Sequence, residues 1–170
     1  MRMASSTMDI YLRDDKAKLR GKLNTGTRRS KSRHVTLVPI RDLENRPTEI
    51  GHCEVDLVAH CGEWMNGTFA WTLTFTDIVS GWTENETIWG KSGHAVKTAL
   101  ERIEDRLPFK IKTLYFDNGS EFLNEDVIEW YANRRSIPTR RSRPYKKNDQ
   151  CFVEQKNYTH VREVFGYDRI

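Results

Sequence analysis

Cysteine is scarce in this chain. Cys53, Cys61 and Cys151 are the whole set, an odd number with no C-x-x-C spacing, which argues against a disulfide framework. Two His-Cys pairs, His52-Cys53 and His60-Cys61, suggest a zinc site. On one strand, at roughly 3.3 Å per residue, they stand about 26 Å apart, too far for one ion to bridge. They read better as strand residues of a core. Long apolar runs are also missing: nothing approaches the roughly 18 residues of a membrane span, and the N-terminus lacks the apolar centre of a signal peptide. A cytoplasmic protein is expected. Its 170 residues suit one domain of ordinary size, burying roughly 70% of its unfolded surface.

What the chain has in quantity is charge, and the charge is segregated. Residues 1–50 hold 12 Lys/Arg against 6 Asp/Glu, residues 51–133 hold 6 against 14, and residues 134–170 hold 10 against 4, so a net +4 conceals segments of +6, −8 and +6. An acidic centre between basic ends suits a polyanion held by the flanks, with cations mediating at the central carboxylates.

Residues 1–50 read as a basic arm or linker, with a short helix over Ser6–Arg13 and an extended, proline-bearing connection over 34–50. From Gly51 the pattern becomes regular. "HCEVDLVAHC" reads as a strand and "GEWMNG" as a turn. "TFAWTLTFT" sets Phe69, Trp71, Leu73 and Phe75 on one face and threonines on the other, and "GWTENETIW" is polar enough for an edge strand. Val96, Ala99, Leu100, Ile103 and Leu107 form a helical stripe ending at Pro108. A fourth strand over Lys112–Phe116, a second helix over about Glu121–Arg135, a short fifth strand in "IPTRRS", a loop "RPYKKNDQ" and a third helix over Val153–Phe165 follow. The order β-β-β-α-β-α-β-α predicts an α/β domain with a mixed sheet and helices on its faces.

Three carboxylates stand out. Asp56 sits inside the apolar strand Val55-Asp56-Leu57-Val58, and Asp117 ends the fourth strand at an Asn-Gly turn. Glu154 opens the last helix, with Tyr158, Val161 and Phe165 at 4, 7 and 11 residues further on as an inward stripe. Glu154 is therefore expected to face the protein body. Acids gathered in an interior raise one another's pKa unless hard cations such as Mg²⁺ or Mn²⁺ neutralise them. Each acid also has an ordinary structural reading, as a salt bridge, a turn former or a helix N-terminal charge.

Together, Asp56 in its strand, "FDNGSEF" around Asp117 and "KNDQCFVEQKN" around Glu154, with gaps of 60 and 36 residues, resemble the integrase catalytic core of retroviral integrases and bacterial insertion-sequence transposases. The resemblance covers about Gly51 to Tyr158. It implies a ribonuclease H-like fold with a mixed five-stranded sheet, and a DDE transposase in which Asp56, Asp117 and Glu154 bind two Mg²⁺ or Mn²⁺ ions. Water would nick the transposon end, and the freed 3′-hydroxyl would attack target DNA. Lys156 and Asn157 match positions expected at DNA, and Arg140, Arg141, Arg143, Lys146 and Lys147 would hold the strand by its phosphates. Asn118, Asn148 and Gln150 are expected to support the ligands from behind, as is Glu121, whose four-residue offset through a glycine turn disfavours direct ligation. The implied partners are transposon-end and target DNA and a second copy or more of the chain, with no membrane, in a bacterial cytoplasm at the nucleoid.

The sequence departs from that family at both ends. "SSTMDIYLRDDKAKLRGK" looks like the last helix of a helix-turn-helix, and residues 51–170 read as a catalytic core shortened at its C-terminal end. Two other readings stay open: an inactive remnant that binds DNA nonspecifically, and a ribonuclease H-like nuclease without strand transfer.

Overall fold

Gly51, just ahead of the first strand, stands where no other residue fits. Its φ is +109°, and a Cβ would stand 2.5 Å from the Lys110 carbonyl oxygen. Its N–H donates to Asp77 Oδ1 at 2.8 Å, and its carbonyl accepts from the N–H groups of Lys112 and Thr113. One turn thereby sets two strands side by side. The computed structural model describes residues 38–42, 46–144 and 146–170; the expected helix over 6–13 lies outside them.

Five strands follow: β1 (His52–Ala59), β2 (Ala70–Asp77), β3 (Thr83–Trp89), β4 (Thr113–Phe116) and β5 (Thr139–Arg141). They form one sheet in the order β3-β2-β1-β4-β5. β1 pairs antiparallel with β2 and β2 with β3, while β4 runs parallel to both β1 and β5. The sheet is thus mixed, with β3 at an edge, as its polar sequence predicts. Ahead of β1, Ile40 bridges in parallel to Arg141, so the strap 38–42 runs beside β5.

Period-two alternation divides the sheet into unlike faces. Cys53 and Val55, Trp71, Leu73 and Phe75, Ile88, and Leu114 and Phe116 share one apolar cluster. Helix α1 (Gly93–Arg106), capped by the Ser92 hydroxyl on the Ala95 N–H, buries Val96, Ala99, Leu100 and Ile103 in that cluster. Fully burying such side chains contributes about 1.5–3 kcal/mol each. Helix α2 (Glu125–Ile128) continues through a wider π-helical stretch, Glu129–Arg134, and adds Val127 and Tyr131. It starts four residues later than its apolar positions predict. Gly119 accepts from the N–H groups of Phe122 and Leu123 in a turn, and the Asn124 side chain caps the helix at the Val127 N–H.

The opposite face carries Glu54, Asp56 and Val58 with Thr72, Thr74 and Thr76. The last helical segment covers it, so every residue of β2 is buried, threonines included. That segment is α3 (Cys151–Lys156), a π-helical stretch Asn157–Arg162, and a final turn α4 (Glu163–Phe165). α3 packs on β1 and β2. A 3₁₀ turn over Lys147–Gln150 leads into it, where the sequence reads as loop. After α4 the chain returns to the β1–β2 loop, where the Arg169 guanidinium donates to the carbonyls of Cys61, Trp64, Asn66 and Thr68. Among the described residues no helix is long and apolar enough to cross a membrane.

Candidate active site

β1 and β4 bring two of the three acids together by register. Val55 lies opposite Phe116 in the parallel pair, so one further step sets Asp56 beside Asp117, on strands about 4.8 Å apart. Both are half-buried. Asp56 alternates with Val55, which belongs to the apolar cluster, and therefore points to the face covered by α3. There Asn157 Nδ2 donates to Asp56 Oδ2 at 2.7 Å. Asp117 Oδ1 accepts the N–H of Gly119 at 2.7 Å.

The electrostatics bind the set. Burial pushes the Asp56 carboxyl up to about 6, the charges of Asp117 and Glu154 push the same way, and the Leu57 N–H and the Asn157 amide oppose them. The charges of Asp117 and Glu154 thus reach Asp56. Hard oxygen donors of this kind suit a divalent cation such as Mg²⁺ or Mn²⁺, although no group of three His, Cys, Asp or Glu among the described residues stands at metal-holding spacing.

Glu154 corrects the sequence reading. It is exposed, as are Tyr158 (58%) and Phe165 (50%), whereas Val153 and Val161 are buried. The inward stripe runs Val153, Asn157, Val161, at spacings of four. The stripe counted from Glu154 meets it only at Val161; the buried register starts one residue earlier, at Val153, ahead of the π-helical stretch that begins at Asn157. From its exposed position the charge of Glu154 still reaches the Asp56 carboxyl. Glu121 lies nearer than its sequence offset suggests. A Cβ on Gly119 would meet Asp117 Oδ1 at 2.8 Å and Glu121 Cδ at 2.7 Å, so both carboxyls crowd one glycine. Lys91 Nζ stands 3.8 Å from Glu121.

The supporting residues divide. Asn118 ties β4 to β5, donating to the Ser142 carbonyl at 2.9 Å and accepting from Arg141 Nη1 at 3.2 Å. Gln150 is buried and donates to the Tyr115 carbonyl; Asn148 is exposed. Of the residues expected at DNA, Arg141 also donates to the Val38 carbonyl. Arg143 grips buried Asp149 through Nε, Nη2 and its own N–H, and the guanidinium hydrogen bonds hold that carboxyl below the usual range. Asn157 directs its amide to Asp56. Arg140 and Lys156 are half-buried and Lys146 is exposed; the Lys147 side chain lies outside the described set. Of the two His-Cys pairs, His60 is buried against the Thr72 hydroxyl at 2.7 Å, and Cys53 is buried beside Asp77.

Sequence reasoning missed Glu54. It is fully buried on the face of Asp56, with Oε1 2.5 Å from Arg41 Nη1 and Oε2 accepting the N–H groups of Phe152 and Val153 at 3.0 Å each. Burial raises its pKa, and Arg41 and the two N–H groups oppose the rise. The available signal was a second charge two positions from Asp56, in the same apolar strand.

Comparison with known proteins agrees with this architecture. A family profile described as "Integrase core domain" matches residues 46–147, a span that contains Asp56 and Asp117 and stops short of Glu154. The uncharacterized protein y4rM of Sinorhizobium fredii (strain NBRC 101917 / NGR234) is 36% identical over 176 residues, taking in 99% of this chain and 48% of the relative. The chain thus spans about half the length of that curated relative. Among solved structures, the simian T-cell lymphotropic virus intasome in complex with PP2A regulatory subunit B56 gamma contains a chain that superposes with a TM-score of 0.57 at 15% identity, over 75% of this chain and 43% of that one. The likeness shows a shared fold, the ribonuclease H-like mixed sheet with helices on both faces. With the profile covering more than half of its length, the chain belongs to the integrase core domain family.

Proposed function

We propose that this chain is the core of a DDE transposase, cutting and joining DNA strands with two Mg²⁺ or Mn²⁺ ions held by Asp56, Asp117 and Glu154. The observation that carries the reading is Asp56. A carboxyl half-buried in an apolar strand, raised to about 6 by burial and by two further acids, is costly to keep ionised without a cation. Divalent ions held there would supply activation of an attacking oxygen and stabilisation of a leaving one.

The remaining roles fall to the protein. Asn157 fixes the orientation of the Asp56 carboxylate, and the Gly119 N–H does so for Asp117. Arg140 in β5, Lys146 in the connection that follows and Lys156 in α3 would take up DNA phosphates. Arg141 and exposed Arg143 would shape that surface, since both are held by hydrogen bonds within the fold. The substrates would be transposon-end and target DNA, handled by a dimer or a larger assembly.

A second reading, a DNA-binding remnant without activity, is favoured by the exposure of Glu154 and by the lack of a metal-spaced trio among the described residues. Calorimetric titration of Mn²⁺ into the protein and into Asp117→Asn separates the two. Binding that disappears in the variant, with loss of metal-dependent nicking and retained DNA binding, is expected. Equal titrations, or nicking that persists in Asp117→Asn, would remove the assignment.

A further inference from the structure

Glu54 has no part in the chemistry proposed above, yet it is the fully buried carboxylate nearest to it in the chain. Burying a carboxylate is expensive unless it is paired and hydrogen-bonded, and the partners that Glu54 has chosen are informative. Its Oε2 accepts the N–H groups of Phe152 and Val153, in the first turn of α3, where backbone donors have no partner within the helix. Gln150, which precedes the helix, supplies no side-chain cap. The cap therefore arrives from β1, about a hundred residues away in the chain.

Its Oε1 meets Arg41 Nη1, and the same nitrogen donates to the Asp149 carbonyl at 2.5 Å, just ahead of the helix. The Arg41 guanidinium lies 4.5 Å from the centroid of the Tyr115 ring on β4. Strap, β1, β4 and α3 thus share one buried ion pair. Glu154 follows Val153 directly, and Asp56 follows Glu54 by two.

We infer that Glu54 is a positioning residue: it fastens the helix that carries Glu154 to the strand that carries Asp56, with Arg41 as its counter-charge. The part given to Glu154 rests on the function proposed above; the tether itself rests on geometry.

The test uses the full chain, Mn²⁺ alone as the probe, and two variants, Glu54→Ala and the double variant Glu54→Gln with Arg41→Met. The double variant keeps an oxygen to accept the two N–H groups and removes both charges together. Hydrogen exchange over residues 150–158 and calorimetric Mn²⁺ affinity are measured. In Glu54→Ala, exchange over 152–157 rises about tenfold while α1 and β2 keep their protection, and Mn²⁺ affinity falls about tenfold or more. The double variant restores both to within about threefold of the parent. Unchanged exchange in α3 of Glu54→Ala, or a loosened α3 that still binds Mn²⁺ as the parent does, overturns the inference. If Glu54→Ala does not fold, the double variant decides: recovered affinity supports the tether, and lost affinity with a protected α3 refutes it. If the parent chain binds no Mn²⁺, the functional reading fails, and the tether is judged on the exchange contrast alone.

Discussion

Replacing Asp56 by asparagine should make the metal-free protein more stable at neutral pH, although it removes a residue proposed to be essential. The Asp56 carboxyl is raised from its ordinary 3.8 to about 6, first by burial and then by Asp117 and Glu154. Between those values the folded state keeps a proton that the unfolded chain has lost, so stability falls as pH rises through that window, and the full penalty stands above about pH 6. At 1.36 kcal/mol for each pH unit the penalty approaches 3 kcal/mol, and solvent access to a half-buried group brings it to about 1–3 kcal/mol. Asparagine keeps an oxygen for the Asn157 amide and carries no charge. Thermal melts of parent and variant at pH 4 and pH 8, in chelator, should show the variant about 3–9 °C higher at pH 8 and the difference shrinking toward pH 4. Mn²⁺ should raise the melting point of the parent and leave the variant unmoved. A variant less stable at pH 8, or a difference equal at both pH values, would refute the account of Asp56 as an uncompensated acid.

Two further outcomes are expected. Gly51→Ala should destabilise the fold by about 1–3 kcal/mol or more, because its backbone is left-handed and its Cβ would strike the Lys110 carbonyl; an unchanged urea midpoint would contradict that. Neutralising Arg140 and Lys146 together should weaken DNA binding and reduce the slope of log affinity against log salt by about 2, and an unaltered slope would place the phosphate contacts elsewhere.

Much of the sheet could be read from residue patterns. The Phe69-Trp71-Leu73-Phe75 alternation marked the apolar face of β2, and the Val96-to-Ile103 stripe marked the buried side of α1. The polar content of β3 marked an edge. α2 starts later than expected because Phe122 is buried in a turn rather than in a helix, and apolar periodicity does not distinguish the two. Glu154 points outward because the buried register of its helix starts at Val153, one residue earlier, and shares only Val161 with a stripe counted from the acid. A helical period fixes the spacing of buried positions and leaves their starting residue open.

The sequence alone determined what depends on neighbours along the chain: strand alternation, the helix stripe, the Asn-Gly turn after Asp117, and two acids at strand positions where charge is costly. Tertiary structure decided what depends on residues distant in sequence. It set Asp56 beside Asp117 through a parallel register, drew Arg141 and Arg143 into the fold, and assigned Glu54 to cap a helix about a hundred residues later. These outcomes turn on which carboxylate reaches which cation or N–H once the sheet is formed, and a charge in a sequence carries no record of its partner.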